Sequence, residues 1–446
     1  MGQRLANLPE VNNLTKKIIY TLGFLAIYRV GVHLPIPGVD TQALSQFFSS
    51  QGANMFGMFN MFSGGALERF SVFELGVMPY ISASIIAQLL TVVVPHLEQL
   101  SKEGESGRKK ITQYTRYGTV LIAVVQGYMI ASGLEGSQQM SGMRLVMEGG
   151  ASWKWMTVLS LTAGSAFVMW LGEQITERGV GNGISLIIFA GIVAGLPSVI
   201  SNTYSQTASG DMDFGRALLI AVVCMAICAG VVFMEQAERK IPVTYAKRQV
   251  GRRVFGGQSS FLPMRINASG VIPPIFASSL LNFPVTFAAM SEGSAISNFI
   301  TSVFIPGGWL YNAVFAPMVI FFAFFYTSIV FKPDDIAEDL KKSGGFIPGI
   351  RPGAKTADYL HKISHRLVCP GSLYLAGICV VPTVLIGKFD VQFYFGGTSL
   401  LIVVGVALQT FRDIDSQMQQ LRYESFMSKG NSGRGSSRGR GQRRGF

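Results

Sequence analysis

Ten apolar segments set the terms for this chain. Each is about 17–25 residues, long enough to cross the hydrocarbon core of a bilayer. They lie near 16–36, 75–95, 111–133, 153–173, 182–201, 214–235, 268–290, 308–331, 366–387 and 392–411. Of the 446 residues, 49% are hydrophobic and only 14% are charged, whereas soluble domains carry about 25% charged residues. In lipid every backbone N–H and C=O has to be satisfied within the protein, so segments of this length fold as helices. The fold class expected is an all-α polytopic membrane protein with ten transmembrane helices.

One stretch breaks the pattern. Between residues 60 and 95, Gly64-Gly65, Gly76 and Pro79 interrupt an otherwise apolar run, and Glu68, Arg69 and Glu74 sit in the interruption. Irregular, charged backbone at membrane depth has to be covered by protein or line a wet cavity. A half-helix near 56–70, extra to the ten spans, therefore points to a channel or a carrier.

The charge distribution gives orientation. With the N-terminus inside, the inner segments are 1–17, 95–116, 172–183, 235–266, 332–366 and 411–446, and they hold 31 of the 37 Lys and Arg residues. The outer segments hold five, namely Arg69, Arg144, Lys154, Arg216 and Lys388, and Arg29 lies within the first span. Positive charge stays on the cytoplasmic side, so both termini are expected there. The net charge of +12 then describes a cytoplasmic face rather than a nucleic-acid-binding domain. The start, MGQRLANLPEV, lacks a signal-peptide layout, and Ala6 stands where a myristoylation motif needs Ser or Thr. The first span is expected to be the insertion signal.

Two inner loops, 235–266 and 332–366, are strongly basic and mix β-branched and aromatic residues with charge. Loops this long in a compact protein carry function or are disordered. Ordered protrusions are expected, since fixing topology needs far fewer residues. The tail 428–446, SKGNSGRGSSRGRGQRRGF, cannot bury enough apolar surface to fold. It reads either as a solvated basic tail or as a contact for anionic lipid head groups or ribosomal RNA.

Chemistry is otherwise sparse. There is no HExxH, no GxxxxGK[ST] loop and no GxSxG elbow. Ionisable residues within the spans are nearly confined to Arg29 and to positions near the ends, such as Glu173 and Glu235. Ion-coupled carriers keep such groups near midplane. Neither an enzyme nor a cofactor is expected. Cys224, Cys228, Cys369 and Cys379 read as small buried apolar residues, and His361 and His365 have only Asp358 beside them, too few for a metal. A secondary transporter of small solutes and a pore-less scaffold are the competing readings. Gly191 and Gly195 form a GxxxG for close helix approach. Ile81/Ile85 and Ile184/Ile188 each repeat at i, i+4. By spacing alone they are packing residues, although a ring of such side chains can also gate by dewetting.

Seven stretches carry a resemblance. MFSGGALERFSVFELGVMPYISASIIAQLLTVVVP, KEGESGRKKITQYTRYG, ERGVGNGISLIIFAGIVAG, YAKRQVGRR, ASGVIPPIFASS, GGFIPGIRPG and YFGGTSLLIVVGVALQT occur in that order. They resemble the SecY/Sec61-alpha family, channel-forming subunits of protein translocases. The resemblance implies two pseudo-symmetric five-helix halves around a central channel, 1–201 and 202–427, with 428–446 as a disordered tail. It implies a pore constriction of Ile81, Ile85, Ile184, Ile188, Ile275 and Ile402. It makes 56–70 a plug, with Phe62, Ser63, Gly64, Gly65, Ala66, Leu67, Glu68 and Arg69 at its heart, swinging on its glycines and short outer attachments. It implies a lateral gate lined by Ser84, Gln88, Pro273, Pro274, Ser278, Ser279 and Asn282. Pro273-Pro274 would weaken a moving helix, and the serines and Asn282 would hold the closed state by weak polar contacts. Lys247, Arg248, Arg252, Arg253 and Arg351 would dock a motor or ribosome. The implied function is a non-enzymatic protein-conducting channel in the bacterial cytoplasmic membrane. The implied partners are SecE and SecG in a heterotrimer, the SecA motor ATPase, the ribosome (with possible rRNA contact), signal-sequence-bearing polypeptides and membrane lipids.

Overall fold

A computed structural model describes residues 9–50, 63–141, 146, 147, 149–210, 213–245, 248–250, 253–255, 259–290, 308–389 and 397–435. Every one of the ten apolar segments coincides with a helix. These are α1 (Pro9–Val32), α3 (Met78–Val93), α5 (Glu105–Ser141), α6 (Ala151–Arg178), α7 (Gly183–Ala208), α8 (Phe214–Gln236), α9 (Ile272–Met290), α10 (Trp309–Val330), α12 (Ala354–Phe389) and α13 (Gly397–Gly435). Among the described residues, six helices are long and apolar enough to cross a membrane individually, or up to seven if a bent pair counts as one span.

That bent pair is α3 with the short α4 (Pro95–Lys102), turned by 99°. Val94 between them is extended, with ψ at 113°. The cause is local, because a residue before proline is pushed out of the helical region. A short helix, α2 (Thr41–Ser50), follows α1. Asp40 starts it by accepting the backbone N–H groups of Gln42 at 2.9 Å and Ala43 at 3.2 Å, the usual work of an N-cap aspartate.

The largest apolar core joins both halves of the chain, drawing on α1, α3, α6 and α7 from the first and α9, α10, α12 and α13 from the second. A second core lies around Ile36, Leu44, Phe70 and Trp153. Outward faces are apolar as well. Leu218, Met225 and Phe233 on α8, Leu121 on α5 and Phe321 on α10 stand exposed. Exposed apolar surface on that scale needs a non-aqueous neighbour, and for spans of this length that neighbour is lipid.

Among the described residues, strands appear only in the two long basic loops. In the first, β1 (Glu238–Tyr245) pairs antiparallel with β4 (Ser259–Arg265), and β2 (Arg248–Val250) pairs with β3 (Arg253–Phe255) to form a hairpin between them. From the second loop, β5 (Gly345–Phe346) adds to β1 opposite Thr244 and Tyr245. α11 (Pro333–Lys342) precedes β5. The all-α description thus holds for the membrane part, and the protrusion is a small mixed unit.

The C-terminal helix also runs further than composition suggests. α13 continues to Gly435, into the segment expected to be unfolded. Extending an existing helix adds a hydrogen bond per residue without a new nucleus, although Gly, Ser and Asn in 428–435 are poor helix formers. Residues 436–446 lie outside the described residues.

Candidate channel, gate and docking surface

Asn182 fixes the helix that carries two of the candidate pore residues. Its Oδ1 accepts the N–H of Ile184 at 3.1 Å and of Ser185 at 3.4 Å, so α7 begins in register at Ile184. The turn before it is tight. The Gly183 N–H donates to Thr176 Oγ1 at 2.9 Å, and a Cβ at position 183 would lie 2.0 Å from the Gly172 carbonyl oxygen. Only glycine fits that close approach. On α3, Pro79 stands in the first turn, where its missing N–H is not needed, and Ile81 and Ile85 follow one turn apart.

The six isoleucines named from sequence meet in one cluster. Ile81, Ile85, Ile188 and Ile402 are buried members of it, and Ile184 and Ile275 pack against it. They come from α3, α7, α9 and α13, hence from both halves. Ile402 has no exposed surface. Ala66, within the interrupting segment, belongs to the same cluster. Such a cluster offers no directional bond to anything that enters it.

The four helices expected at a lateral gate are in contact. α9 packs against both α3 and α5 across the halves and against α10 on its own side. Phe276 on α9 sets its ring edge-on to Phe322 and Tyr326 of α10, at 5.9 and 6.2 Å between centroids. The polar residues behave differently from expectation. Gln88 Nε2 donates to Ser84 Oγ at 3.4 Å within α3, and Ser278 Oγ donates back to the Ile275 carbonyl within α9. Ser279 Oγ is buried with no hydrogen-bond partner among the described residues. The Asn282 side chain lies outside the described residues. Among the described side chains, apolar contact holds this seam. Pro273 and Pro274 lie in the first turn of α9, where the N–H groups have no intrahelical acceptor anyway. They therefore set the start of the helix and do not weaken its body.

Residues 63–77 run as successive turns into α3. Phe62 and the rest of 51–62 lie outside the described residues. Ser63, Ala66 and Leu67 are buried, Gly64 and Gly65 half-buried, and Glu68 and Arg69 exposed. The far end of the segment is pinned. Ile36 N–H donates to the Phe70 carbonyl at 2.9 Å, and Val72 N–H to the Leu34 carbonyl at 3.0 Å. Phe70 adopts φ +47°, a rare conformation for a bulky residue, and stacks on Trp153 at 6.4 Å. The short attachment after residue 69, expected to let the segment swing, is pinned by these backbone hydrogen bonds.

The two basic loops form one body. Ile241, Val243 and Met264 from the sheet share a core with Ile347, Leu360 and Ile363. Arg248 and Arg253 sit on the terminal hairpin strands, where Val250 pairs with Arg253 and Arg248 with Phe255. Lys247 and Arg252 lie outside the described residues. Arg351 is exposed, on a loop whose Arg351 carbonyl accepts the hydroxyl of buried Thr356 at 3.0 Å. β5 joins β1 next to the hairpin, so both basic motifs share one protrusion. On α11, Lys342 Nζ lies 3.0 Å from Glu338 Oε1, and the hydrogen bond to Glu338 pushes that lysine further up, keeping it charged.

The SecY family profile matches residues 71–411. Protein translocase subunit SecY of Escherichia coli (strain K12) is 50% identical over 424 residues, covering 94% of this chain and 95% of that protein. The chain belongs to the SecY family. The SecY-family protein of Aquifex aeolicus (strain VF5) is 44% identical over 430 residues, covering 96% of this chain and all of that one. A solved structure described as a protein conducting channel aligns with a TM-score of 0.65 at 14% identity, over 91% of this chain and 93% of that one. Sec61 in a canine ribosome-channel complex aligns with a TM-score of 0.61, also at 14% identity and over 91% and 93% of the two chains. At that identity the fold is what is shared.

Two groups in this SecY-family chain escaped the sequence reading. Beneath the channel, Asn267 Nδ2 donates to Glu235 Oε1 at 2.5 Å, and Arg412 Nη2 to the Glu235 carbonyl at 2.9 Å. They tie the end of α8, the lead into α9 and α13 together at the base of the β1–β4 pair. Beside the interrupting segment, Tyr28 and Arg29 of α1 reach its backbone. Glu235, Arg412 and Arg29 were visible as charges in or near spans, but their partners are remote in sequence. The cysteines differ from expectation too: Cys379 is buried, Cys224 and Cys228 are half-buried and Cys369 is exposed.

Proposed function

We propose that this chain is the channel subunit of a Sec-type translocase, which passes unfolded polypeptide across the bacterial cytoplasmic membrane and releases apolar helices sideways into lipid. The observation that carries this reading is the meeting of six isoleucines from both halves in one cluster, with Ala66 of the interrupting segment against it. Branched apolar side chains can seal against water and ions and still deform around an extended chain. In this reading Ile81, Ile85, Ile184, Ile188, Ile275 and Ile402 are the constriction, and 56–70 is the plug. The seam of α3 and α5 against α9 is the lateral gate. Both termini and the mixed protrusion face the cytoplasm, in line with the bias in Lys and Arg.

The energy comes from a partner. The protrusion, with Arg248, Arg253 and Arg351, suits docking of the SecA motor or the ribosome, because guanidinium groups on ordered loops pair bidentately with carboxylates or phosphates. SecE and SecG are the proposed companions in the membrane. The test is an export assay in vesicles containing the purified complex, with motor, ATP and a secretory precursor. Protease-protected precursor is expected for the unaltered chain. Arg351→Glu is expected to lower protection at least tenfold while the complex still assembles. Full protection with Arg351→Glu would sink the docking role.

A further inference from the structure

Arg29 is a charge inside the first span, and such groups are costly unless partnered and mark function by default. Its Nη1 donates to the Gly64 carbonyl at 3.0 Å. The preceding Tyr28 hydroxyl donates to the Ser63 carbonyl at 3.2 Å. Two consecutive residues of α1 thus hold two consecutive carbonyls of the interrupting segment. Tyr28 is buried and stacks flat on Phe73, with centroids 6.1 Å apart, so its hydroxyl is aimed by packing. The other side is closed as well. Gly64 has φ +69°, and a Cβ there would lie 2.9 Å from the Gly191 Cα on α7 and 3.0 Å from Arg29 Nη1. The backbone at Gly64 is pressed between α1 and the first glycine of the GxxxG.

From this geometry we infer that Tyr28 and Arg29 are a latch that holds the plug closed by its backbone. The inference rests on the reading of 56–70 as the plug. The acceptors are carbonyls, so the latch tolerates changes in plug side chains but not in the donors. It is reversible because Arg29 is only half-buried, so water can take the place of the carbonyl. When the plug leaves, the guanidinium exchanges a carbonyl for water, and only the difference between the two favours closure. The anchor at Phe70–Val72 stays in place, so release at Ser63–Gly64 frees the part of the segment before it.

The test records conductance of the complete complex in planar bilayers without substrate. Tyr28→Phe, Arg29→Gln and Arg29→Lys are each made in the full chain and in a chain lacking 60–69, which spares the anchor. Arg29→Gln is expected to raise resting open probability about tenfold, the ratio appropriate to one hydrogen bond from a charged group. Arg29→Lys keeps a charged donor and should stay close to the unaltered chain. In the plug-deleted chain none of the three should add to the leak. A tight channel after the deletion would overturn the plug reading itself. A leaking deletion with tight Arg29→Gln and Tyr28→Phe would overturn the latch alone. An added leak in the deleted chain would assign these residues to the pore wall instead. Tyr28→Phe removes a single oxygen and keeps the test available if loss of the Arg29 charge blocks assembly.

Discussion

In the proposed reading each isoleucine of the cluster both packs and seals, and the two roles separate on substitution. Ile188 is buried beside Ile81, Ile85 and Ile402. Ile188→Ala leaves a cavity, and removing a buried isoleucine side chain costs about 2–5 kcal/mol. The expected outcome is a lower thermal midpoint of the purified complex together with a resting ion leak. A destabilised but fully tight channel would show that Ile188 packs without sealing. At this scale the sequence was half legible. The i, i+4 spacing put Ile81 with Ile85 and Ile184 with Ile188 on shared helix faces, but spacing within a helix cannot say which faces meet across the two halves. Resemblance supplied that pairing. Gln88, Ser278 and Ser279 mark the opposite limit, because a serine on a helix can bond back to its own turn, as Ser278 does.

The helices were legible where length and apolarity decide the outcome. All ten expected segments coincide with helices, since lipid leaves the backbone no other partner. What failed depended on position within an element or on remote pairing. Pro273 and Pro274 change meaning according to whether the helix begins before or well ahead of them, and it begins at Ile272. The turns of 63–77 are set by Leu34 and Ile36, residues of another segment. The α6–α7 turn gives the element-scale prediction. In Gly183→Ala the new Cβ would press on the Gly172 carbonyl, and α7 would have to shift with Ile184 and Ile188 aboard. The expected result is export reduced several-fold at normal abundance of the complex. Unchanged export would mean that the turn has slack which the structure does not display.

At the scale of the whole molecule, the seam between the halves and the protrusion below it are joined by one junction. Glu235, Asn267 and Arg412 link α8, the approach to α9 and α13 at the base of the β1–β4 pair. The two long basic loops were legible separately as ordered. Their merger was not, because it depends on Phe346 pairing with Thr244, a contact that neither loop encodes alone. The central claim is that polypeptide passes through the isoleucine cluster. The most direct test places a photo-crosslinking residue at Ile402 in the reconstituted complex and arrests a secretory chain midway with motor and ATP. A crosslink between position 402 and the arrested chain, dependent on both motor and ATP, is the result the account predicts. A chain arrested across the membrane with no crosslink would contradict it, because the polypeptide would then be crossing by another path.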